Sequence, residues 1–92
     1  IILDLGDVER AKALYERALI IQQDNFGKKD PEVAITLGNL GAVYAQLGEI
    51  QKAKDLMKQA LTTLEQTYGP NHPQITSNLI NFGNILLKLN NP

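Results

Sequence analysis

Ninety-two residues, 43% of them apolar and 21% charged, suffice for one small domain that buries about two-thirds of its unfolded surface. A net charge of −1 gives no basic footprint for nucleic acid or an anionic membrane. There is no cysteine, only one histidine and no Gly-rich phosphate loop, so no disulfide framework, metal cluster or catalytic constellation is expected, and no cofactor.

Ile1, Ile2 and Leu3 are apolar, but Asp4 ends that run far short of a signal-peptide core. Residues 1–5 read as the last turn of a helix closing on a Leu5-Gly6 corner. Residues 7–27 read as a second helix, with Val8, Ala11, Tyr15, Ala18 and Leu19 on one stripe and Gly27 as its stop. Residues 31–68 then hold two helices. Asp30 caps the first, and Pro31 takes the first helical position, where a missing N–H costs nothing. Its stripe is Val33, Leu37, Leu40, Tyr44 and Leu47, at steps of four, three, four and three. A Leu47-Gly48 corner leads into the stripe Ile50, Ala53, Met57, Ala60, Leu61, Leu64 and Tyr68, which Gly69 terminates. His72-Pro73 opens a last helix over 73–90, with Ile75, Leu79, Phe82, Leu86 and Leu89 in line. The charge-free run Gln66 to Leu87 contains Pro70, Asn71, Pro73 and three later asparagines, which excludes a spanning helix.

Shifted by 42 residues, the chain matches itself. Leu5-Gly6 falls on Leu47-Gly48, Ala11-Lys12 on Ala53-Lys54, Leu14 on Leu56, and Ala18-Leu19 on Ala60-Leu61. Gly27 falls on Gly69, Pro31 on Pro73, Leu37 on Leu79, Asn39 on Asn81, Gly41 on Gly83 and Leu47 on Leu89. Those 13 identities in 50 aligned pairs exceed the roughly 3 that background composition gives. A period in this range signals stacked units. Gly41, Ala53 and Ala60 lie within the stripes, where small residues let two helix backbones approach.

Leu37-x-x-Leu40-Gly41-x-x-Tyr44-x-x-x-Gly48, followed by Ala53, Met57 and Ala60, resembles the tetratricopeptide repeat. The 42-residue spacing, with Phe26-Gly27-x-x-Asp30-Pro31 and Tyr68-Gly69-Pro70-Asn71-His72-Pro73, is similar to the longer repeat of kinesin light chains. The resemblance implies an all-α, right-handed superhelical solenoid of antiparallel helix pairs, about two repeats long. Its register makes residues 1–5 the end of a helix A and 7–27 a helix B. Residues 31–68 are then a complete A–B pair, and 73–90 the A helix of the next repeat. The absence of a polar capping helix suggests a segment of a longer array.

Charge is sorted between the helices. None occurs from Val33 to Gly48, whereas the B helices carry most of the Lys, Arg, Asp and Glu, as a solvated outer face would. The A-helix face away from the stripe carries Ile35, Gly38, Asn39, Ala42 and Gln46, then Ser77, Ile80, Asn81, Asn84 and Lys88. The resemblance implies that this face lines a concave groove for an extended peptide, with Asn39 and Asn81 at the family's backbone-binding asparagine. The expected peptide-binding residues are Ile35, Asn39, Ala42, Gln46, Ile80, Asn81, Asn84 and Lys88. Only Lys88 could serve a carboxylate clamp, so the expected partner is a neutral, apolar-anchored protein segment rather than an acidic tail, nucleic acid or membrane. Two alternatives stand beside this reading. One is a self-associating array segment that forms a homo-oligomer through uncapped ends; the other is the regulatory arm of a larger enzyme or signalling ATPase. No enzyme activity of its own is expected, and the family implies a cytoplasmic location.

Overall fold

The computed structural model describes residues 5–89, and side chains within residues 6–87. Four α-helices follow in order: α1 (Leu5–Phe26), α2 (Pro31–Gln46), α3 (Ile50–Tyr68) and α4 (Thr76–Leu89). A single 3-10 turn, Pro73–Ile75, precedes α4, and there is no strand among the described residues. Each helix packs on the next, α2 and α3 most extensively, while α1 and α4 do not touch. This is the all-α helical repeat expected from the sequence.

Local chemistry sets the boundaries. Asp30 is extended (φ −73°, ψ 140°), and its carboxylate accepts the Glu32 N–H at 2.8 Å, satisfying a donor that the first turn leaves over. Gly48 turns the chain out of α2 with φ +83°, a conformation that side chains rarely adopt. There the Glu49 N–H reaches back to the Tyr44 carbonyl at 2.9 Å and the Gly48 N–H to that of Ala45 at 3.1 Å. Gly27 and Gly69 end α1 and α3 with similar positive φ angles, +86° and +87°.

Two boundaries differ from the sequence expectation. Gly6 does not copy the Gly48 corner: it is helical, and α1 begins at Leu5. The remainder of the expected helix end, residues 1–4, lies outside the described residues. The last helix also starts later as an α-helix. His72 Nδ1 accepts the Gln74 N–H at 3.1 Å, and the Ile75 N–H bonds the His72 carbonyl, an i to i+3 link that winds a 3-10 turn first. At the equivalent α2 start, Ala34 bonds the Asp30 carbonyl in the α pattern. His72 also stacks on Tyr68, with ring centroids 4.7 Å apart.

The core has two parts. Val33, Ala34 and Leu37 of α2 meet Ala60 and Leu64 of α3 and Ile75. Leu40, Tyr44 and Ala45 meet Ala53 and Met57 of α3 and Ile85 of α4. Gly41 sits where α2 and α3 cross: a Cβ there would lie 3.1 Å from Met57 Cγ and 3.2 Å from the Ala53 carbonyl oxygen. Of the expected stripe, Ile75 in the 3-10 turn is buried and Phe82 packs against the core, but in α4 it is Asn78 and Ile85 that are buried, whereas Leu79 is 47% exposed and Leu86 39%. Packing on α3 uses one side of α4, and Leu79 lies on the flank that no described helix covers.

Polar contacts tie successive units. The buried Thr36 hydroxyl donates to the Gln22 side-chain oxygen of α1 at 2.6 Å. One period later the corresponding pair is Leu64 and Asn78. A leucine offers no acceptor, and the buried Asn78 Nδ2 has no hydrogen-bond partner. Asn78 packs instead on Gly38, whose absent Cβ would lie 2.9 Å from its Oδ1.

Tyr44 is gripped by cations from both B helices: Lys12 Nζ lies 5.1 Å and Lys52 Nζ 4.7 Å from its ring centroid. The Tyr44 hydroxyl, with lesser help from Glu49 and Glu16, holds the Lys52 ammonium above its ordinary value of 10.5. A raised folded-state value stabilises the fold fully below 10.5, and the benefit disappears as pH rises through the folded value. Lys52→Met is therefore expected to lower the neutral-pH melt slightly, as the loss of one exposed contact does, and to flatten its decline in alkali, read by thermal melts on both sides of that value. An alkaline decline equally steep in the variant would assign it to other groups.

Candidate functional site

The helices α2 and α4 carry almost no charge among the described side chains. Glu32 is the sole charged residue of α2, and none occurs in α4 among the described side chains. Between them runs an open cleft lined by Ala42, Ala45, Gln46, Asn81, Asn84 and Ile85. Ala45 and Ile85 are buried and form an apolar floor. Ala42 and Asn81 are half-buried on its walls, and Gln46 and Asn84 stand exposed at the rim.

This arrangement has a definite chemical capacity. Each amide carries both donor and acceptor, which is what a backbone amide of an extended segment needs, whatever its sequence. The floor takes a small apolar side chain. No titratable group lines the cleft, and no cluster of His, Asp or Glu among the described residues could hold a metal ion. A wider cleft lies between the 27–30 loop and α3, beside Lys28, Lys29, Lys58 and Asp55. Those four side chains are exposed and form no ion pair among the described residues, as on an ordinary solvated face.

Four of the eight expected binding residues come together in the groove: Ala42, Gln46, Asn81 and Asn84. Asn39 is exposed one turn earlier on α2, outside the lining. Ile35 is a correction, since it packs against the Val33–Leu64 core rather than facing the cleft. Ile80 is 58% exposed on α4 and lies outside the lining. The Lys88 side chain lies outside the described residues. Sequence reasoning missed Ala45 and Ile85. Ile85 aligns with Val43, also buried and also off the expected stripe, so a β-branched residue recurring there was the available signal.

Residues 1–66 match the tetratricopeptide repeat family. The chain belongs to that family. Compared with curated proteins, it has no significant match. In this tetratricopeptide repeat protein the cleft lies between α2 and α4. Repeats of this family generally mediate protein–protein interaction. No helix among the described residues is long and apolar enough to cross a membrane.

Proposed function

We propose that this tetratricopeptide segment holds an extended, uncharged peptide of a partner protein in the groove between α2 and α4. The observation that carries the reading is an uncharged cleft in which Gln46, Asn81 and Asn84 surround a buried floor of Ala45 and Ile85. The peptide's backbone amides pair with those side chains, and one small apolar residue enters the floor, leaving Asn39 to extend the polar track along α2. The 42-residue spacing supports the kinesin-light-chain-like subtype. The proposal also includes a cytoplasmic setting and no catalytic activity of the chain itself.

Peptides selected from a random phage library against the chain test this. Against an Asn81→Ala, Asn84→Ala variant they are expected to bind roughly tenfold more weakly for each amide lost, with the thermal melt preserved. Affinity for neutral peptides is expected to change little with salt, because no charged side chain lines the cleft. Selected peptides that bind parent and variant alike would remove the groove as the binding surface.

A further inference from the structure

We infer that Asn78 is a further peptide contact at the end of the α2–α4 groove, its Nδ2 donating to a main-chain carbonyl of the bound segment. The inference rests on the groove reading above and adds to it a residue outside the lining.

Asn78 belongs to the same seam as the cleft. It stands seven residues before Ile85, within about 20° of it around α4. On the facing helix Gly38 stands seven residues before Ala45. Ala45 and Ile85 floor the cleft, Ala42 and Asn81 follow on its walls, and Gly38 and Asn78 meet one step beyond its end. Seven residues of helix rise roughly 10 Å, which about three residues of an extended segment span. A peptide seated over Ile85 therefore reaches Asn78.

The amide is unpaired where it rests. Asn78 is 8% exposed, and its buried Nδ2 has no hydrogen-bond partner. One period earlier the same position is Thr36, whose hydroxyl finds both the Gln22 side chain and the Glu32 carbonyl. A threonine would thus serve the fold, and the asparagine costs it stability. A donor left unpaired in the empty protein and paired in the complex returns that cost on binding. It adds more to affinity than an amide that water already satisfies, such as the exposed Asn84. Gly38 supplies the freedom this requires. A Cβ there would stand 2.9 Å from Asn78 Oδ1 and 3.0 Å from Nδ2, pinning the amide. With hydrogen in its place, and the broad χ2 of asparagine, the amide turns from Gly38 toward the groove.

Asn78→Thr, which copies the residue at Thr36, tests this with the peptides selected from a random phage library against the chain. The variant is expected to melt at or above the parent, because the new hydroxyl can bond a carbonyl of its own helix. The same peptides are expected to bind it about tenfold more weakly. Stability and affinity thus move apart, which the loss of a merely structural contact would not produce. The Asn78 side-chain NH2 pair, identified by its absence from the 1H–15N spectrum of the variant, is expected to shift downfield in the parent as peptide saturates it. An NH2 pair that stays in place at saturation would overturn the inference, whatever the variant's melt. So would peptides that bind parent and Asn78→Thr equally. If those peptides still lose affinity for Asn81→Ala, Asn84→Ala, the groove stands and only Asn78 is removed from it. Equal binding to all three proteins removes the groove and this contact together.

Discussion

Leu64→Ala is expected to lower the melting temperature by tens of degrees. Leu64 is wholly buried, and its cluster joins α2, α3 and the 3-10 turn through Val33, Leu37, Ala60 and Ile75. Deleting a buried leucine side chain typically costs about 2–5 kcal/mol, the larger values where the surroundings cannot close on the cavity. Here the backbone on one side is held by the Asp30 cap and on the other by the His72 cap, so collapse is limited. Stabilities of native domains lie at about 5–15 kcal/mol, and in one this small about 1 kcal/mol moves the melt by roughly 4–8 °C. Leu14→Ala, on an exposed part of α1, is the comparison and is expected within about 0.5 kcal/mol of the parent. Thermal circular dichroism of both variants checks the pair. Similar melts would mean that Leu64 does not organise the core.

What the sequence made legible follows from which interactions are local. The Val33, Leu37, Leu40 and Tyr44 stripe is buried as its spacing requires, because it faces the helix that comes next in the chain. Asp30-Pro31 and Gly48 act through their immediate neighbours and therefore read correctly from a few residues. The face that α4 buries was not legible in the same way. A helix of this kind has two flanks, and the apolar stripe at Leu79 and Phe82 does not say which neighbour is present. The 3-10 turn after His72 was invisible because Pro73 occupies the same position as Pro31, and only the capping side chain differs. In the groove, Ala42, Gln46, Asn81 and Asn84 were identified because uncharged residues on the far side of an A helix need a reason. Ile35 was misassigned and Ile85 overlooked because each lies at the edge between groove and core, where a rotation of a few tens of degrees decides burial. Asn78 marks the same limit. Its mismatch with Leu64 shows only when two helices are paired, though Gln22 and Thr36 one period earlier satisfy each other.

Gly41→Leu and Gly83→Ala are expected to move the melt in opposite directions, although both replace a mid-helix glycine at the same place in the repeat. Either change gains up to about 1 kcal/mol of helix propensity. At Gly83 nothing lies within 4 Å of the new Cβ, so in dilute solution that gain appears and the melt rises. At Gly41 the Cβ alone would stand 3.1 Å from Met57 Cγ and 3.2 Å from the Ala53 carbonyl, before the rest of the leucine is placed. Overpacking of this kind costs about 1–3 kcal/mol, which outweighs the propensity and lowers the melt by several degrees. The two neighbours differ in how far they can yield. Met57 is flexible but wholly buried, whereas the Ala53 oxygen belongs to the α3 backbone. Met57→Ala alone costs about 2–5 kcal/mol, yet it also vacates the volume that a leucine in place of Gly41 would need. The double variant Gly41→Leu, Met57→Ala is therefore expected to be more stable than the two single effects sum to, by about 0.5–3 kcal/mol, the range for residues in contact. Denaturant melts of the four proteins in this cycle measure the coupling. Strict additivity would mean that the Ala53 backbone, rather than Met57, sets the closest approach of α2 to α3, and that no side-chain repacking can relieve it.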